Sequence, residues 1–154
     1  MRITNNMMMM FIGSFLIQYY LMNTIMVNSK NDITNSLGKF YMSIIMAFFM
    51  IILETMMHDH QYDVFSTNTY ICLIFFVLVF IYLYRNQVAV NDKQYLEGMI
   101  EHHSMALLTS KEIVKKTNNY NVARISKHII QKQEDEIREM RTILEHIRVS
   151  RDNY

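Results

Sequence analysis

Three long stretches without charge fill the first half of the chain, and they leave few folds open to it. No charged residue lies between Met7 and Val27, the run from Phe40 to Met57 is broken only by Glu54, and Val64 to Tyr84 carries none. A helix rises 1.5 Å per residue, so about 20 apolar residues cross the roughly 30 Å hydrocarbon core of a bilayer. A backbone that enters lipid has to satisfy its own hydrogen bonds, which makes all three stretches helices. Spanning helices are therefore predicted at about 7–27, 40–57 and 64–84. Tyr19, Tyr20, Tyr41, Tyr82 and Tyr84 fall near their ends, where an aromatic belt meets the headgroups. The first run is longer than the apolar core of a signal peptide and no small-x-small cleavage site follows it, so it reads as an anchor. Polar connectors at Asn28 to Asp32 and at His58 to Asp63 separate the spans.

Polarity is gathered in the other half. Only four of the 15 Lys and Arg, and four of the 14 Asp and Glu, precede Val90. The sequence thus divides into a membrane domain, 1–88, and a polar domain, 89–154. The net charge of +1, with no block of like charge, lacks the basic footprint of a nucleic-acid binder. Cys72 is the single cysteine, which excludes an intramolecular disulfide and a cysteine-based zinc site; within its apolar run it reads as a small buried residue. Nothing resembles a nucleophile with its base or a Gly-rich phosphate cradle, and no catalytic role is expected. Lys30, Lys39, Arg85 and Lys93 lie on one side of three spans against Arg2 on the other, a count that places the polar domain in the cytoplasm.

That domain reads as an antiparallel helical hairpin, making the chain all-α. Asn91 with Gln94 three residues on forms a capping box, and Tyr95, Met99, His102, Ala106 and Ile113 follow at helical spacing. Thr117 to Asn121 breaks the pattern, and Val122, Ile125, Ile129, Ile137, Met140, Leu144 and Ile147 mark a second helix. The helices are predicted at about 92–117 and 121–148, antiparallel because the loop is short. A hairpin of about 60 residues has too little core to stand alone. A second copy, completing a four-helix bundle as a homodimer on the bilayer, is the simplest partner; packing onto its own spanning helices is the rival.

With a turn centred near Asn119, His102 comes level with Glu136, Met99 with Met140 and Met105 with Gln133. Met99 lies three and four residues from His102 and His103, so thioether and imidazole share a face. That donor set suits Cu(I) or Ag(I), whereas carboxylates and water would suit magnesium or calcium. The competing use of the His pair is structural, an imidazole at the core boundary hydrogen-bonded to a carboxylate such as Glu136. His58 and His60, with Met57, form a second candidate cluster at a membrane edge, read alternatively as a solvated turn.

The string Met99-Ile100-Glu101-His102-His103-Ser104-Met105-Ala106, followed by Ile129-Ile130-Gln131-Lys132-Gln133-Glu134-Asp135-Glu136-Ile137-Arg138-Glu139-Met140, resembles the paired signature of the DUF305 family. There, Met-Ile-Pro-His-His on one helix precedes Ile-Ile-x-x-Gln-x-x-Glu-Ile-x-x-Met on another. The three spans before it, and Leu108-Thr109-Ser110 after the His pair, look like a membrane-anchored branch of that family. The resemblance implies a ferritin-like half-bundle and a role in copper or silver binding outside the cytoplasm, in conflict with the charge count. It implies ligands at His102, His103, Met99, Met105 and Met140, with Glu136, Gln133 and Glu101 around them. Glu101 replaces the family's usual Pro and adds a carboxylate beside the pair, while Thr109 stands where many members have a further Met. The alternative from another class is a membrane assembly protein whose hairpin serves to oligomerise it.

Overall fold

The computed structural model describes residues 2–152, and among them every regular element is helical. In chain order these are α1 (Arg2–Leu16), a π-helical stretch (Ile17–Met22), α2 (Asn23–Met26), a 3-10 turn (Lys30–Asp32), α3 (Leu37–Tyr62), α4 (Thr67–Arg85), α5 (Asp92–Val114) and α6 (Tyr120–Asp152). Three helical segments are long and apolar enough to cross a membrane: Asn5–Met26, Leu37–Tyr62 and Thr67–Arg85. The second extends through His58 and His60, where the sequence pattern points to a connector.

The chain forms two units. The first comprises Met1–Met22 with Leu37–Ala89. Its centre is α3, whose Tyr41, Ile44, Ile45, Ala47 and Ile51 are buried against α1 and α4. Ring contacts fasten the three together: Phe11 to Phe48 at 5.3 Å, Phe15 to Phe40 at 5.6 Å and Phe48 stacked on Phe76 at 5.5 Å. Ser43 and Thr55 are buried, but their hydroxyls donate to the carbonyls of Lys39 and Ile51 one turn back, so neither polar group is left unmet. The Lys39 ammonium lies 4.9 Å from the Tyr19 ring centroid, a cation–π contact. The turn from α3 to α4 is set by Asp59, which accepts from the Ser66 backbone N–H at 2.7 Å and hydroxyl at 2.9 Å and so places a carboxylate at the start of α4. Cys72 is exposed rather than buried, because it lies on a side of α4 that the chain does not cover.

The second unit comprises Asn23–Ser36 with Val90–Tyr154. Asn91 caps α5 by accepting from the Gln94 N–H at 3.0 Å, and Asn119 accepts from the Asn121 and Val122 N–H groups at the start of α6. The two helices pack through Ile100, Leu107, Ile137 and Met140, with Leu96, Met99, Ile130 and Leu144 around this core. Lys111 reaches Glu134 at 2.8 Å across the same pair of helices.

The connector Asn23–Ser36 is not a free polar loop, for Asn23, Val27, Asp32 and Ser36 are all buried. Glu101 accepts from the Thr34 N–H at 2.5 Å and the Asn23 amide at 3.5 Å, while Thr34 donates its hydroxyl to the Glu97 carbonyl. Ser104 accepts from the Asn28 N–H at 2.8 Å and donates to Asp32 Oδ2 at 2.6 Å; Asp32 Oδ1 pairs with Arg141 of α6. Gly98 permits the close approach, since a Cβ there would stand 3.3 Å from Ser36 Oγ.

Candidate metal centre

The face that α5 buries differs from the one its sequence pattern marks. Leu96, Ile100 and Leu107 turn toward α6, while Tyr95 and His102 are exposed and Met99, Ala106 and Ile113 are half-buried. Three small buried hydroxyl residues, Ser104, Ser110 and Ser126, take places in the unit that a count of apolar side chains passes over. The helix is accordingly rotated by about one residue, roughly 100°, from the pattern Tyr95, Met99, His102. His103, not His102, therefore meets Glu136, with 3.3 Å between Nδ1 and Oε2.

This contact lies within ion-pair distance but lacks hydrogen-bond geometry. The buried His103 Nδ1 consequently has no hydrogen-bond partner among the described residues. Gln133 Oε1, one turn earlier on α6 than Glu136, is buried and unpartnered in the same sense. Burial pushes the His103 imidazole below its usual range by disfavouring the cation; Glu136 opposes the shift, and the neighbouring His102 adds to it. The two imidazole rings stand 6.0 Å apart, centroid to centroid.

Of the sulfur donors, Met140 is buried in the core and Met99 packs against that core from its rim. Met105 is half-buried two residues beyond His103, about 200° around the helix, so a centre built at His103 does not include it. Glu101 is directed to the connector, where it accepts from Thr34 and Asn23, and is not placed beside the imidazoles as an extra acceptor. In the first unit, His58 lies 3.3 Å from Asp59 and 4.6 Å from the Tyr62 ring. Helical spacing puts His60 about 200° from His58, and His60 and Met57 are exposed, so these three donors do not converge. Among the described residues there is no group of three or more His, Cys, Asp or Glu arranged to hold a metal ion.

The family model for a domain of unknown function, DUF305, matches residues 82–144. The chain belongs to the DUF305 family. An uncharacterized protein of Acanthamoeba polyphaga mimivirus is 36% identical over 138 residues, 90% of this chain and 90% of its own length. The likeness thus extends well beyond the DUF305 region into the apolar half. No solved structure matches the chain. Sequence reasoning missed Asp32, Ser104 and Arg141, which tie the connector into the DUF305 unit. No sequence signal joins them, since Asp32 and Arg141 lie 109 residues apart and the middle of α6 carries more carboxylates than cations.

Proposed function

We propose that this DUF305 protein is a membrane-anchored soft-metal binder in which α5 and α6 form an antiparallel hairpin and carry the ligands. His103 supplies the central imidazole, with His102, Met99 and Met140 beside it, for Cu(I) or Ag(I). The observation that carries the reading is the half-buried His103, whose Nδ1 has no hydrogen-bond partner and whose surroundings disfavour the proton. Neutral imidazole is the form that binds metal, and thioethers at the rim of an apolar core select a soft, weakly hydrated ion over magnesium or calcium. In this reading the protein holds or hands on metal rather than catalysing a reaction.

Membrane anchoring rests on the three apolar helices together with the composition of the second unit. The connector Asn23–Ser36 and the α5–α6 pair are hydrogen-bonded to each other although α3 and α4 lie between them in sequence. Two segments can meet in one aqueous compartment only if the chain between them crosses the bilayer an even number of times. Crossings by both α3 and α4 satisfy that condition.

Competition of the full-length protein in detergent against a chromophoric Cu(I) chelator tests the proposal. Wild type withdraws copper from the chelator, while His103→Ala and Met99→Leu lose at least about ten-fold in affinity, equivalent to about 1.4 kcal/mol. Equal and poor competition by all three proteins would remove the metal reading and leave that of a membrane assembly protein.

A further inference from the structure

The rotation of α5 leaves a second apolar strip that the described residues cover only in part, with Tyr95 and His102 exposed and Met99, Ala106 and Ile113 half-buried. Tyr95, Met99, His102, Ala106 and Ile113 recur three, four or seven residues apart and so share one face of α5. Val122, Ile125, Ile129 and Ile143 share one stripe of α6 with Glu136, which is seven residues from both Ile129 and Ile143. The contact between Glu136 and His103 joins the two strips along a common seam. Tyr95 and Ile125 are each 53% exposed, and Val122 and Ile143 are exposed as well. On that seam lie the two buried polar atoms without hydrogen-bond partners, His103 Nδ1 and Gln133 Oε1.

We propose that this strip is a two-fold interface through which two copies of the chain assemble a four-helix bundle. Tyr95 to Ile113 covers roughly 27 Å of helix, and two helices 10–12 Å in diameter make the face roughly 20 Å wide. Covered on both copies, such a face removes roughly 1,100 Å2 from water, above the about 1,000 Å2 expected of a specific interface. The core between α5 and α6 gives the same indication, since four buried apolar side chains make a small nucleus for helices of 23 and 33 residues. A second hairpin presents the same strip and is self-complementary by symmetry, as an isologous contact requires. His102 sits in the strip, so the second copy comes against the candidate ligands. That last point rests on the proposed function; the dimer does not.

The test is the mass of the full-length protein in detergent, with chelator present throughout, by light scattering coupled to size exclusion. Wild type runs as a dimer, and Ile125→Glu and Ile143→Glu, on exposed positions that leave the α5–α6 core intact, run as monomers with unchanged helical circular dichroism. A disulfide formed between copies by Val122→Cys in a Cys72→Ser background gives a second readout that does not depend on a variant losing the interface. A monomeric wild type would overturn the proposal, as would a dimer that survives both glutamates, which would place the contact on another surface. Because no metal is present, failure of the copper competition leaves this result standing, and failure here leaves the copper competition standing.

Discussion

Asp32 and Arg141, 109 residues apart, form an ion pair in which the Asp32 carboxylate is buried and its second oxygen accepts from Ser104. A buried carboxylate stripped of its cation costs far more than the pair contributes, because the charge keeps its desolvation penalty without its partner. Arg141→Met is therefore expected to destabilise the unit by about 3 kcal/mol, at the lower end of the usual range since the guanidinium side is partly solvated. The double variant Asp32→Asn, Arg141→Met recovers part of that loss. Thermal melts of the four proteins in detergent complete the cycle; additive losses would show that the pair does not hold the connector.

Glu101 and Ser104 hold the same connector through its backbone, at the Thr34 and Asn28 amides. The Thr34 amide donates to a carboxylate, a bond worth about 1.5–3 kcal/mol, and the Asn28 amide to a neutral hydroxyl, worth about 0.5–1.5 kcal/mol, so losing them speeds local opening roughly 10- to 100-fold and roughly 2- to 10-fold. Glu101→Ala should accelerate hydrogen exchange at Thr34, and Ser104→Ala at Asn28, with little change at amides in the middle of α6. Uniform acceleration over the whole unit would mean that the connector opens only on global unfolding.

Length and absence of charge make the apolar segments legible, because a spanning helix needs little besides those two properties. The cap at Asn91 is legible for a similar reason, because it acts over three residues, whereas Asn119 reads as a turn centre and its capping of α6 appears only in the structure. The packed face of α5 is not. Tyr95, Met99, His102 and Ala106 carry as convincing a period as Leu96, Ile100 and Leu107, and what decides between them is long-range. Glu101 and Ser104 must face the connector, which fixes the helix rotation and turns His103 toward Glu136. That polar residues set the orientation of an apolar helix is invisible to a pattern built on hydrophobic spacing.

The choice of face makes its own prediction. Leu107 is buried in the core between α5 and α6, so Leu107→Ala removes packed methyl groups and leaves a cavity, at a cost of about 2–5 kcal/mol. Tyr95→Ala, on the other face, should cost less than about 1 kcal/mol within one chain. Melts recorded at protein concentrations low enough to populate monomers make the comparison, and a larger loss at Tyr95 than at Leu107 would reverse the assigned rotation.

The proposed crossings by α3 and α4 make a prediction about sidedness. In a Cys72→Ser background, Lys30→Cys and Tyr120→Cys, both exposed, should react with a membrane-impermeant maleimide from the same side of sealed vesicles. His60→Cys, exposed in the last turn of α3, should react from the opposite side. Labelling of all three from one side would mean that α3 and α4 do not cross the bilayer.

His103 gives the unit a pH dependence of known sign. Its folded-state pKa lies below the unfolded value of about 6.5, so the unfolded chain takes up the proton first as pH falls. Stability is unaffected well above that value and declines as pH falls below it toward the folded pKa. Two groups face the imidazole: Glu136, whose carboxylate limits the decline, and His102, whose own charge adds to it. Melting temperatures of the metal-free protein between about pH 7.5 and 5.5 should therefore fall. His103→Gln, which keeps a polar side chain of similar reach but cannot take up a proton, should flatten that slope. His102→Gln, at an exposed position, should retain most of it. If both variants track wild type across the whole range, the burial of His103 is not what makes protonation costly, and the case for a neutral imidazole poised to bind metal is lost.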